Sequence, residues 1–161
     1  MDFVLLSWLF ALAVTLHNIE EAILLPAWSQ TAGRWQHPVG AREFRFAVIV
    51  LSAAAYGAAY FAMVGGRESA GAYIVVGAAL AMLLNVAFPH LLATLVLRRY
   101  APGTGTALLL NLPVTVLLLR EAIVEGYIRL HVFAWAGPLV VIVILASIPV
   151  LFAIGKRLPG A

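Results

Sequence analysis

The sequence predicts an all-α fold, a polytopic transmembrane bundle of about five spanning helices, on three observations. Hydrophobic residues make up 64% of the 161-residue chain and charged residues only 11%, against about 25% charged in soluble domains. The mean hydropathy is correspondingly high, at +1.03. The apolar residues fall into five runs long enough to cross a hydrocarbon core of roughly 30 Å, and short segments with turn chemistry separate them.

The first run, 3–25, follows the acidic start Met1-Asp2, and no small-residue cleavage site precedes its charged cluster. It therefore reads as a retained helix rather than a signal peptide. Pro26, Gly33, Pro38 and Gly40 mark the connection to the second run, 44–64. Ser52 to Ala59 in that run is a stretch of small residues that suits close helix packing and also supports a homodimer. Gly65-Gly66-Arg67-Glu68-Ser69 leads into the third run, 73–97. The loop Arg98-Arg99-Tyr100-Ala101-Pro102-Gly103 precedes the fourth, 105–124, and Glu125 to His131 precedes the fifth, 132–154. At this length the chain is a single transmembrane domain, 1–161.

Cysteine is absent, which excludes disulfides, thiolate metal sites, Fe–S clusters and cysteine nucleophiles. Ten Lys/Arg against seven Asp/Glu give a pI near 9.7, a small surplus scattered over loops, which argues for orientation in a bilayer and against nucleic acid as a partner. Arg34, Arg42, Arg98, Arg99, Lys156 and Arg157 share one side, with Arg45 just inside the second helix. The other side has Arg67 and Arg129, with Arg120 close by. The positive-inside rule places the N-terminus outside and the C-terminus in the cytoplasm, in a bacterial-type inner (plasma) membrane. Trp28, Trp35 and Tyr100 then fall in one interfacial aromatic belt, and Tyr127 and Trp135 in the other.

Within this apolar chain, His17-Asn18-Ile19-Glu20-Glu21 stands out. Ionisable groups in hydrocarbon are expensive, and they persist where they pair, bind an ion or do chemistry. His17 to Glu20 is i,i+3 and His17 to Glu21 is i,i+4, so both carboxylates flank the imidazole on one helix face. At about 1.5 Å per residue, His17 lies roughly 12 Å below the Lys/Arg-rich interface and Glu21 about 6 Å. On the third helix His90 lies roughly 10 Å deep, and Asn111 on the fourth about 9 Å. Three helices thus bring polar side chains to one layer.

His17, Glu20, Glu21 and His90 are the candidate catalytic and metal-ligating residues; Glu43, Arg45, Asn85, Thr94 and Asn111 are candidates for the surrounding shell or for substrate contacts. Thr94 is one turn beyond His90, and Arg45 is a candidate counter-charge for a carboxylate. Asn85, five residues before His90, points elsewhere on a straight helix and would need a kink at Pro89 to be realigned. Structural readings stand beside these. Glu20 and Glu21 can pair with Arg34, Arg42 or Arg45, His90 can bond to a carbonyl, and Asn111 can bond across helices. On the opposite side Glu121, Glu125 and Arg129 have the spacing of a solvated ion-pair ladder.

Three segments in order resemble the HXXEE-domain family of small integral membrane proteins. They are His17-Asn18-Ile19-Glu20-Glu21, Asn85-Val86-Ala87-Phe88-Pro89-His90, and Arg98 to Ala107 leading to Leu112-Pro113, with Glu43-Phe44 resembling its early second-helix segment. The resemblance implies a multi-helix membrane domain whose His, Glu and Asn residues form a site, and it brings no reaction with it.

The leading expectation is an intramembrane enzyme acting on a lipid or isoprenoid-like substrate. In one version His17, His90 and Glu20 or Glu21 hold a divalent metal; two imidazoles, a carboxylate and an open position suit Zn²⁺ hydrolysis or non-haem Fe(II) chemistry. In the other, carboxylate and imidazole work as general acid and base. The expected partners are membrane lipids and a hydrophobic small molecule. The alternatives are a proton- or cation-coupled transporter or ion-binding protein, against which five spans without an inverted repeat weigh, and a non-catalytic scaffold.

Overall fold

The structure is a computed structural model that describes residues 1–33 and 37–158; Arg34 and Trp35, assigned above to the basic side and its aromatic belt, lie outside the described residues. Five helices are long and apolar enough to cross a membrane: α1 (Phe3–Ser29), α2 (Ala41–Gly65), α3 (Ala70–Leu97), α4 (Thr104–Val124) and α5 (Leu130–Arg157). α1 packs between α2 and α4, and α3 packs against α2, α4 and α5. Without a hydrophobic force between helices inside lipid, close packing of small residues supplies much of the association. Ala55, Ala58, Ala59 and Ala62 of α2 are accordingly buried within the chain. A Cβ on Gly71 of α3 would run into the backbone of Phe61 and Ala62, so α2 and α3 approach as closely as glycine allows.

The helix ends follow from capping. Asp2, the acidic residue that argued against a signal peptide, accepts from Leu5 N at 2.8 Å and caps α1. Ser69 caps α3 through Ala72 N at 3.1 Å. Glu43, expected near the site, is instead the third residue of α2 and accepts from Gly40 N at 2.9 Å. α1 runs past Pro26 to Ser29, beyond the end expected at residue 25. A proline takes no bond to the carbonyl four residues back, and Arg45 Nε approaches the freed Ala22 carbonyl at 3.4 Å. Arg45 is thus spent on a helix carbonyl and forms no ion pair with Glu20 or Glu21 among the described residues.

The apolar core lies at the end away from the basic side, where Phe3, Leu6, Phe10, Val75, Val76 and Leu118 are fully enclosed. The polar groups at this end do not form the expected ladder. Glu125 accepts from Phe3 N at 3.0 Å, Arg129 pairs with Glu68 at 2.7 Å, and Arg120 pairs with its neighbour Glu121. Tyr127 stacks on Phe3 with ring centroids 3.8 Å apart. Trp135 is exposed, as a belt residue would be.

Two irregular segments interrupt the bundle, a kink within Val86–Leu91 of α3 and a π-helical turn at Ala107–Asn111 of α4. Each swings the later side chains round the helix axis. In α3 the kink contains Pro89 and an extended Phe88 (φ −134°, ψ 123°), and Leu92 N reaches back to the Ala87 carbonyl. Both segments lie beside the buried histidines.

Candidate metal centre

α1, α3 and the connection before α4 build the site. His17, an α1 residue that is 1% exposed, meets His90, which follows the kink in α3 and is 2% exposed. Their rings sit edge to face, with centroids 4.8 Å apart and planes at 87°. One helical turn after His17, Glu21 brings its carboxylate within 3.7 Å of His17 Nε2 and 3.5 Å of His90 Nε2. One ligand atom from each of these three residues lies within 4.8 Å of the others.

The surrounding hydrogen bonds decide which imidazole nitrogen faces the centre. His90 Nδ1 lies 2.9 Å from the Pro102 carbonyl, which can only accept, so Nδ1 carries the proton. His17 Nδ1 lies 3.0 Å from Thr106 Oγ1, and the Thr106 hydroxyl is itself 2.7 Å from Glu20 Oε2. With its proton directed at Glu20, that hydroxyl accepts from His17 Nδ1. Both histidines therefore turn an unprotonated Nε2 toward Glu21. An imidazole that donates its far N–H to a carbonyl or hydroxyl is the arrangement that orients a metal-ligating histidine.

Two ligands about 2.0–2.2 Å from a tetrahedral ion stand roughly 3.3–3.6 Å apart; Glu21 Oε2 is 3.7 Å from His17 Nε2 and Glu21 Oε1 3.5 Å from His90 Nε2, while the three ligand atoms are gathered only to within 4.8 Å, so the side chains would close in on an ion. Two imidazoles and one carboxylate are a donor set that leaves an open position on Zn²⁺ or Fe²⁺. His17, Glu21 and His90 could hold such an ion.

Asn85 joins this group. Its Nδ2 lies 3.0 Å from His90 Nε2 and 3.3 Å from His17 Nε2. The five-residue spacing that separates Asn85 from His90 on a straight helix is overcome by the kink at Phe88-Pro89, the realignment that Asn85 was expected to need. The amide donates to both lone pairs in this arrangement; rotation about its last bond would present Oδ1 instead.

Glu20 stands outside the three converging groups. Its carboxylate accepts from Gly103 N at 2.9 Å, Thr106 N at 3.1 Å and Thr106 Oγ1 at 2.7 Å, and from the Tyr100 hydroxyl. Gly103 is the residue before α4, so Glu20 of α1 caps α4 from another helix and meets its positive end. With four donors its lone pairs are filled. Burial and the Glu20 carboxylate push the Tyr100 hydroxyl above its usual range, which keeps it protonated as a donor. Tyr100 thus latches the connection to α1 rather than serving only as an interfacial aromatic.

Sequence reasoning missed Tyr100, Pro102, Gly103 and Thr106 as site residues. Gly103 has φ +87°, and a Cβ there would stand 2.6 Å from His90 Cε1 and 2.8 Å from His17 Cε1. Only glycine lets the backbone close over both imidazoles. The Pro-Gly pair in a short connection was a turn signal, but nothing in it pointed to the histidines. Thr94, expected near the site, bonds Thr104 Oγ1 at 2.8 Å and Ala101 N at 3.1 Å and so holds the same connection. Asn111 is fully buried, and neither of its amide atoms has a partner among the described residues.

The chain matches the model of a family described as "Protein of unknown function with HXXEE motif" over residues 8–118. It is 42% identical over 148 residues to "Uncharacterized protein YrkK" of Bacillus subtilis (strain 168), covering 92% of this chain and 94% of that one. No solved structure matches the chain. The matched span contains His17, Glu20, Glu21, Asn85, His90 and the Tyr100–Thr106 connection, and the chain belongs to this HXXEE family.

Proposed function

We propose that this protein is a metal-dependent intramembrane enzyme whose substrate is a lipid or isoprenoid-like molecule. The observation that carries the reading is the convergence of His17, Glu21 and His90 with both Nε2 atoms turned inward. The ion would be divalent, Zn²⁺ or Fe²⁺, and would supply a Lewis acid at its open position. The chain's own residues do the rest. Pro102 and Thr106 orient the imidazoles, Glu20 holds the connection closed, and Glu21 completes the ligand set.

A second observation supports the greasy substrate. A cavity of about 390 Å³ lies between α1, α2, α3 and α5, lined by Phe10, Val14, Asn18, Ala58, Ala78, Met82 and other apolar residues. Its size falls in the range of small-molecule sites. On α1 its wall of Phe10, Val14 and Asn18 continues one turn on into Glu21, and on α3 its wall of Ala78 and Met82 continues into Asn85. A hydrocarbon chain in this groove would carry its polar end to the histidines. The excess of Lys and Arg on the site's side of the bundle supports a cytoplasmic-leaflet entry in a bacterial-type inner membrane, with the N-terminus outside.

The test compares the lipid extracts of cells lacking the protein with those of cells expressing wild type or His17→Ala. At least one lipid species is expected to change with wild type and to remain at the deletion level with His17→Ala. Identical lipid profiles for wild type and His17→Ala would contradict an enzymatic role for the centre.

A further inference from the structure

Among the described residues, Asn18 is the one polar side chain in the lining of the cavity between α1, α2, α3 and α5, and no charged residue borders it. α2 fixes the orientation of its amide. Nδ2 lies 2.9 Å from Ser52 Oγ and 3.3 Å from the Val48 carbonyl, which can only accept. Both amide protons are therefore spent on α2, and Oδ1 is the atom left over. Oδ1 accepts no hydrogen bond among the described residues, yet unlike the unpartnered amide oxygen of Asn111 it is not sealed inside the protein. Asn18 keeps 8% of its surface accessible, and that surface does not face lipid. The exposed apolar residues of α1, Leu12, Leu16 and Ile23, lie on the far side of the helix. What Asn18 leaves accessible opens into the cavity it lines, with Oδ1 as the unbonded polar atom.

We infer that this groove binds a single-chain alcohol, its hydrocarbon tail along the apolar walls and its hydroxyl donating to Asn18 Oδ1. The inference names the substrate class of the groove and rests on the reading of that groove as a substrate site. The walls select the head group. A hydroxyl carries a proton to donate; a chain without one would bury Oδ1 unmet, which is costly in an apolar cavity. An ether or ester oxygen accepts without donating. An ionised carboxylate also presents acceptors alone, and no cation on the walls offsets its repulsion from Oδ1. Asn18 precedes Glu21 by three residues on α1, roughly 4.5 Å of helix rise, so the hydroxyl is held at the end of the groove nearest the centre. Asn18 thereby chooses the head group as well as tying α1 to α2.

Dodecanol is the probe, with its methyl ether and dodecanoate as comparisons. All three partition into bilayers, so binding of the tritiated compounds to protein in lipid nanodiscs is read against empty discs. Wild type is expected to bind dodecanol saturably and the ether about tenfold more weakly, since the ether leaves the acceptor without a donor. Dodecanoate should bind no better than the ether. Asn18→Leu should bind alcohol and ether alike, and Ala78→Leu, which fills the groove, should bind neither. Should Asn18→Leu fail to fold, the ranking in wild type and its loss in Ala78→Leu decide. Equal affinity for alcohol and ether in wild type, or a preference for the alcohol that survives either variant, overturns the inference, as does the absence of saturable binding to wild type. The lipid profiles of wild type and His17→Ala report on the enzymatic reading separately. Profiles that differ, without an alcohol preference, strike the alcohol alone; identical profiles with the preference intact strike the enzyme alone.

Discussion

Glu20 and Glu21 are adjacent and chemically identical, and the fold gives them separate tasks. About 100° of helical rotation points Glu21 at the histidines and Glu20 at the start of α4. The two should therefore respond differently to the same change. Glu21→Gln is expected to lower metal affinity by at least tenfold with little effect on folding, measured by equilibrium dialysis and thermal melting. Glu20→Gln should lower stability, since hydrogen bonds to a charged group are worth about 1.5–3 kcal/mol each and several are weakened together. Gly103→Ala should reduce both stability and metal affinity, because a side chain at φ +87° is strained and its Cβ meets both imidazoles. Asn111 gives the opposite case. Removing an amide that is buried and has no partner among the described residues, as Asn111→Leu does, should stabilise the protein by about 1 kcal/mol or more and raise its melting temperature; a lower melting temperature would mean the amide has a partner that matters. His17, Glu21 and His90 were legible in the sequence because each is costly in an apolar run. Pro102 and Gly103 were not, since they act through a carbonyl and an absent Cβ, and residue type does not reveal either.

At the level of elements, the kink in α3 and the connection from α3 to α4 shape the site. A straight α3 would carry Asn85 and His90 on different faces; the kink within Val86–Leu91 unites them. Pro89→Ala removes the ring that disfavours regular bonding there and should reduce metal affinity by tenfold or more as Asn85 and His90 separate, measured by the same dialysis. Hydrogen exchange gives a second view. In Glu20→Ala the amides of Gly103 and Thr106, which donate to that carboxylate, should exchange faster than in wild type, and in Glu21→Ala they should not. The spans themselves were legible, because length and hydropathy decide them, and each helix lies where its run predicted, within a few residues at the ends. The path of the connection was not. It depends on Glu20 holding Tyr100, Gly103 and Thr106 while Thr94 holds Ala101 and Thr104, a long-range arrangement that helical periodicity does not encode.

Across the whole molecule, the bundle divides into an apolar half and a polar half. Phe3, Phe10 and Leu118 close one end; the histidines, the two carboxylates and the capped α4 occupy the other. The groove among α1, α2, α3 and α5 lies alongside, left open by Ala54, Ala55, Ala58, Ala78 and Ala81, and its lining ends at Asn18 and Met82, about a turn short of Glu21 and Asn85. Depth matching along separate helices was enough to foresee a shared layer of His17 and His90, since a helix rises about 1.5 Å per residue whatever its neighbours. It was not enough to exclude Glu20, and Asn85 came in only on the condition of a kink at Pro89, because both need rotation as well as depth. It also misjudged Arg45, because the carbonyl that Pro26 frees claims that side chain first. The central claim is that His17, Glu21 and His90 together hold one divalent ion. X-ray absorption spectroscopy on the purified, Zn²⁺-loaded protein tests it most directly, with His90→Ala as comparison. The expected result is one ion per chain with two imidazole nitrogens and a carboxylate oxygen at about 2.0–2.2 Å, and one imidazole fewer or no bound ion in the variant. A wild-type protein that retains no stoichiometric ion, or a spectrum unaltered by His90→Ala, would contradict it.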